Sequence, residues 1–193
     1  MVEKDEVRSQ IIDVAGRIFS KYGYKKTTMD EIANGLHKGK SSIYYYYLGK
    51  EEIYKAVIEF EIKELWKNIH NALILSDNPM DKIKTYVLVR MKTIKDKPNF
   101  YEVLNNESIA HIGFIHEIRE NFLREEIKIF DGFLNDGVKR GLFFSEETDL
   151  TAVAIVTAMK GLEVPLLSKD NAIDLEKRIE SLLNMLFYGL IKR

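Results

Sequence analysis

The chain has 193 residues, of which 46% are apolar and 31% charged, enough apolar material for a core and too much for a disordered chain. Three prolines and eleven glycines exclude collagen-like and linker-dominated sequences, and the lack of cysteine excludes disulfide scaffolds and thiolate metal sites. The net charge of −1 hides an asymmetry. Residues 21–50 hold Lys21, Lys25, Lys26, Lys38, Lys40 and Lys50 against Asp30 and Glu31, a net +4, which leaves −5 for the rest. A basic block on an acidic protein suits a polyanionic partner, although a solvated lysine-rich loop gives the same count.

Taken in chain order, the periodicities are helical. Ile11, Ile12, Ala15, Ile18, Phe19 and Tyr22 form one apolar stripe on a helix ending near Gly23. Thr28 and Glu31 have the spacing of a capping box, and Met29, Ile32, Ala33 and Leu36 face one side of the short helix that follows. Gly39 to Ser42 supplies a turn, and Ile43 and Tyr47 lie four apart on a third helix. Lys50-Glu51-Glu52 opens a fourth, with Tyr54, Ile58, Ile62, Leu65, Trp66, Ile69 and Leu73 on one face.

After the turn at Ser76 to Pro79, helices are predicted at about 80–95, 98–110, 114–139, 147–166 and 171–191, the last capped by Asp170 or Asn171. Pro165 should bend or end the helix that holds it. The fold class is all-α, with about nine helices: an N-terminal three-helix domain (1–50) and a C-terminal helical bundle (51–193). The apolar run Leu150 to Met159 is too short to span a membrane, and the charged N-terminus lacks a secretory segment. A cytoplasmic protein with no membrane partner is expected.

Two short helices joined by a tight turn after a longer helix make a helix-turn-helix, whose second helix enters the major groove of DNA. The residues that carry it are Ile11 to Phe19, Gly23-Tyr24, Thr27-Thr28, Ile32-Ala33, Tyr44 to Tyr47 and Lys50-Glu51-Glu52-Ile53. In this order and spacing they resemble the N-terminal domain of the tetracycline-repressor (TetR) family of bacterial transcription regulators, over about a quarter of the chain. The turn departs from the family pattern. His37 stands where the family has glycine and is expected to take a positive φ, and Lys38 stands for valine and is expected to snorkel outward.

The resemblance implies DNA-binding roles for Thr27, Thr28, Lys38, Lys40, Ser41, Ser42, Tyr44, Tyr45, Tyr46 and Lys50. Thr28 would offer its hydroxyl and nearby backbone N–H groups to a phosphate, unless it serves as a cap alone. Lys40 would meet a phosphate or guanine O6/N7. Tyr44 and Tyr46 would touch phosphates, Tyr45 a base edge or thymine methyl, and Lys50 would clamp a phosphate. Tyr47, on the Ile43 face, belongs to the core.

The remainder resembles the family's second domain, a bundle that encloses an effector pocket and dimerises through its last two helices. Trp66, His70, Tyr86, Met91, Phe100, Tyr101, Phe122, Phe130 and Met159 are the pocket candidates. Each taken singly reads first as core, and together they suit an apolar or aromatic small molecule. Val153, Val156 and Leu162, with Leu175, Ile179, Leu182 and Leu186, are the candidate dimer contacts. Both helices carry apolar residues on more than one face, which a second subunit, or the chain's own core, would bury.

No G-x-S-x-G, phosphate-binding loop or dinucleotide motif is present, and the four histidines lack the spacing of a helical metal site. No enzyme activity, cofactor or metal is expected. The expected partners are double-stranded DNA, a small-molecule effector and a second copy of the chain. The alternative is a helical-bundle interaction protein with a degenerate helix-turn-helix that no longer binds DNA.

Overall fold

The computed structural model describes residues 2–167 and 174–190. In chain order the helices are α1 (Val2–Tyr22), α2 (Met29–Gly35), α3 (Lys40–Tyr44), α4 (Lys50–Leu73), α5 (Pro79–Lys95), α6 (Pro98–Asn105), α7 (Gly113–Lys139), α8 (Thr148–Leu167) and α9 (Leu175–Leu190). No β-strand forms among the described residues, and no helix there is long and apolar enough to cross a membrane.

Local signals set most helix ends. Gly23, at φ 78°, takes a conformation costly for other residues, and its N–H returns to the Phe19 carbonyl at 2.7 Å to close α1. The Asn78 side chain caps α5 by accepting from the Met80 N–H at 2.9 Å, with Pro79 at the first helical position. The predicted helix 98–110 is shorter than expected. α6 stops at Asn105, and Asn106 starts a separate 3-10 turn, Glu107–Ile109, by accepting from the Ser108 N–H. α8 does not end at Pro165 but continues to Leu167. The predicted caps Asp170 and Asn171 lie outside the described residues.

The chain divides into two compact units, Met1–Glu64 with Lys97–Leu104, and Leu65–Asp96 with Asn105–Arg193. The first is built on Ile11, Ala15, Phe19, Ile32, Ile43, Ile53, Tyr54 and Ile58, all fully buried. Here Glu61 of α4 sits at the N-terminus of α6, accepting from the Phe100 N–H at 2.7 Å and the Asn99 side-chain amide at 2.7 Å. The same Asn99 amide donates to the Gly16 carbonyl of α1.

In the second unit α7 packs against α8 and α5, and α5 also meets α9. Its core takes Ile83, Tyr86, Val87, Met91 and Ile94 from α5, Phe122, Phe130 and Leu134 from α7, Ala152, Ile155, Val156 and Met159 from α8, and Ile179 and Leu183 from α9. A Cβ at Gly137 would stand 2.0 Å from the Phe143 ring, so the absence of a side chain there lets the chain after α7 fold back over it.

Candidate nucleic-acid interface

The helix-turn-helix is assembled from α2 and α3. Thr28 starts α2 with the predicted capping box. Its hydroxyl accepts from the Glu31 N–H at 3.2 Å, while the Glu31 carboxylate accepts from the Thr28 N–H at 2.7 Å and from its hydroxyl at 2.9 Å. α2 ends in a Schellman arrangement. The His37 N–H returns to Asn34 and the Lys38 N–H to Ala33, each at 3.1 Å, with His37 at φ 53°. Histidine therefore takes the left-handed position expected of glycine, and the turn keeps its form. Lys38 points outward and is exposed, as its snorkelling predicts.

α3 is shorter than the tyrosine run suggests. It ends at Tyr44, and the chain turns through Tyr45 and Tyr46, with the Tyr46 and Tyr47 N–H groups both directed at the Ile43 carbonyl. Ile43 and Tyr47 still point into the core. Tyr44 is 44% exposed and Tyr45 71%, and the Tyr45 and Tyr46 rings meet edge to face at 5.0 Å. Lys40, Ser41 and Ser42 are exposed on the same short helix.

Three expected contact residues are placed differently. Thr27 is 1% exposed and its hydroxyl donates to the Gly23 carbonyl, which makes it an internal brace of the loop before α2. The Thr28 hydroxyl is engaged with Glu31 as described. Lys50 turns its ammonium inward, donating to the Tyr24 and Thr27 carbonyls at 2.8 Å each.

Two supporting residues carry no local sequence signal. Arg8 of α1 donates to the Tyr46 carbonyl at 3.1 Å and lies 4.8 Å from the centre of the Tyr47 ring, fixing the turn after α3. Asp30 of α2 pairs with Lys40 of α3 at 2.9 Å, and that hydrogen bond raises the Lys40 pKa. The pair is exposed and yields readily to salt.

Residues 11–57 match the bacterial regulatory proteins of the tetR family. The N-terminal part of the chain is therefore similar to the tetR family. An HTH-type transcriptional regulator, YhgD of Bacillus subtilis, is 22% identical over 146 residues, 76% of each chain. The biofilm-operon negative regulator IcaR of Staphylococcus aureus is 27% identical over 134 residues, 65% of this chain and 70% of IcaR. A solved regulator from Saccharomonospora viridis, in complex with choline, shares the fold at a TM-score of 0.84 and 17% identity, over 98% of this chain and all of the other. These relatives and neighbours are transcriptional regulators and not enzymes.

The nine pocket candidates are not brought together. Trp66 and His70, with Ile69, Leu73, Ile129 and Phe133, line an open recess of about 590 Å³ between α4 and α7, and Phe122 lies behind it, 5.3 Å from the Trp66 ring. Tyr86, Met91, Phe130 and Met159 are core residues of the second unit, whereas Phe100 and Tyr101 belong to the first. Among the dimer candidates, Val153 is 42% exposed and Leu182 partly so, but Val156 and Ile179 are fully buried in their own chain. The side chains of Leu162, Leu175 and Leu186 lie outside the described residues.

A buried charge cluster joins α5, α7 and α8. Arg90 of α5, 1% exposed, is held by Glu126 of α7 and Glu163 of α8, and Glu163 also accepts from Asn105 at 2.9 Å. Tyr86 donates to Glu126 at 2.8 Å. Burial alone would lower the Arg90 pKa, yet the two carboxylates hold it above the ordinary arginine value. The signal lies in α5 itself. Arg90 falls on the stripe Ile83, Tyr86, Val87, Met91 and Ile94, where a charge must be buried.

Proposed function

We propose that this chain is a homodimeric tetR-family repressor, released from a palindromic operator by a small apolar or aromatic effector. In this reading residues 1–50 read DNA, and 51–193 serve the effector and the dimer. The observation that carries it is the exposed set Lys38, Lys40, Ser41, Ser42, Tyr44 and Tyr45, gathered on and around α3 over a buried Ile43. Tyr45 would read a base edge or thymine methyl. Tyr44 and Tyr46 would meet phosphates, and Lys40 would exchange Asp30 for a phosphate. Such a regulator works where the chromosome is, in the cytoplasm.

A homodimer is supported by α8, whose Leu150, Val153, Ala154, Thr157 and Gly161 recur at helical spacing and are all exposed. Two recognition helices would then enter successive major grooves about 34–36 Å apart. The sign of regulation follows IcaR, whose name makes it a negative regulator. The choline bound to the Saccharomonospora viridis protein supports a small-molecule effector, and the recess beside Trp66 offers apolar walls for one. The effector would favour the dimer that fits its operator less well, by as much as its affinity differs between the two states.

The test is a competition gel shift on DNA upstream of the protein's own gene against a shuffled duplex, at two salt concentrations. Preferential binding that weakens with salt is expected. A folded dimer that binds neither duplex at low salt would overturn the proposal and favour the interaction-protein alternative.

A further inference from the structure

Lys25 and Lys26 lie on the loop between α1 and α2, and both side chains are exposed. The loop beneath them is braced from within, because Thr27 is buried and the Tyr24, Lys25 and Thr27 carbonyls all turn to one ammonium. Neither lysine side chain pairs with a carboxylate among the described residues. The two acids of residues 21–50 are engaged elsewhere, Asp30 with Lys40 and Glu31 with Thr28. The Asp30–Lys40 pair also places the loop. It joins the start of α2 to the start of α3, and Lys26 precedes Asp30 by only four residues. Four residues of chain reach at most about 14 Å, so the Lys26 backbone stays within that distance of the Asp30 backbone. Two adjacent positive charges on a braced loop at this end suit a row of closely spaced negative ones, and each DNA strand offers a charge every ~3.4 Å of its axis.

We propose that Lys25 and Lys26 grip the DNA backbone beside the recognition helix, each ammonium meeting a phosphate. The inference rests on the DNA-binding reading and adds a contact to it. Such contacts strengthen binding to every duplex alike and carry no sequence preference. Three full-length double variants test it. Lys25→Gln with Lys26→Gln removes both charges and keeps long polar side chains. Lys25→Arg with Lys26→Arg keeps the charges. Lys63→Gln with Lys67→Gln takes two exposed charges from α4 instead and controls for net charge.

Binding to a labelled mixed-sequence duplex is followed against salt by fluorescence anisotropy. Loss of two phosphate contacts should make the slope of log affinity against log salt shallower by about 1.8 in the loop glutamine variant. The arginine variant and the α4 variant should keep the wild-type slope. Thermal melts of all three should match wild type, because every changed side chain is exposed. A wild-type slope in the loop glutamine variant overturns the proposal, and so does an equal change in the α4 variant. Either result, on DNA that wild type binds, defeats this proposal alone. A wild type that binds no duplex at low salt defeats the DNA-binding reading and this proposal with it.

Discussion

Arg90 grips Glu126 through two N–H groups, Nε at 2.5 Å and Nη2 at 3.3 Å, with both side chains shut away from solvent. Removing one partner of a buried pair leaves the other charge uncompensated, and here two carboxylates would remain. Arg90→Met should therefore cost about 3–5 kcal/mol, read from urea unfolding. The triple change Arg90→Met, Glu126→Leu and Glu163→Leu should recover most of that loss. A single variant as stable as wild type would mean that the cluster adds nothing to the fold.

His37 holds φ 53° with a side chain that this conformation disfavours. His37→Gly should stabilise the protein by about 0.5–1 kcal/mol, less whatever glycine gains in unfolded-chain entropy. Thermal melts would show it as a rise in Tm. A fall in Tm would mean that glycine's unfolded-chain entropy, or a contact of the imidazole, outweighs the strain relieved.

Glu61 contributes to the pH dependence of the first unit on the acid side. Burial raises its pKa, although the hydrogen bonds from Asn99 and Phe100 pull the other way. A carboxyl whose pKa is raised on folding binds its proton more tightly in the folded chain. Stability from this group is then greatest below the ordinary value of 4.5 and falls as pH rises through the folded-state value. In urea melts across that window, Glu61→Gln should show a smaller fall with pH than wild type. Parallel curves would remove Glu61 as the cause.

Tyr45 is 71% exposed, so its loss should leave stability unchanged. On an operator, Tyr45→Ala should cost about 1–3 kcal/mol of binding and relax discrimination against altered sites. Equal loss on every duplex would make it a phosphate contact.

Most of the architecture is legible in the sequence because its boundaries use local chemistry. Thr28 with Glu31, Asn78 with Pro79, and Gly23 are each short-range signals, and each sets a helix end where it is predicted. What escapes is chemistry that joins distant residues. Arg90 finds Glu163 across 73 positions and Lys50 finds Tyr24 across 26, so no spacing rule announces either contact. Charges on apolar stripes are the partial exception. Glu126 lies four residues from both Phe122 and Phe130, and Glu61 lies on the stripe of Val57, Ile58 and Leu65. The apolar residues of α8 and α9 are ambiguous for another reason. Stripes on both sides of a helix do not say which faces the chain's own core, and Val156 and Ile179 do.

The recess between α4 and α7 has an optical consequence. The chain holds one tryptophan, and it stands in that wall against Phe122. All indole emission therefore originates from this single place. A molecule that settles against Trp66 is expected to change the colour or intensity of the indole emission, with no label attached and no second indole to dilute the signal.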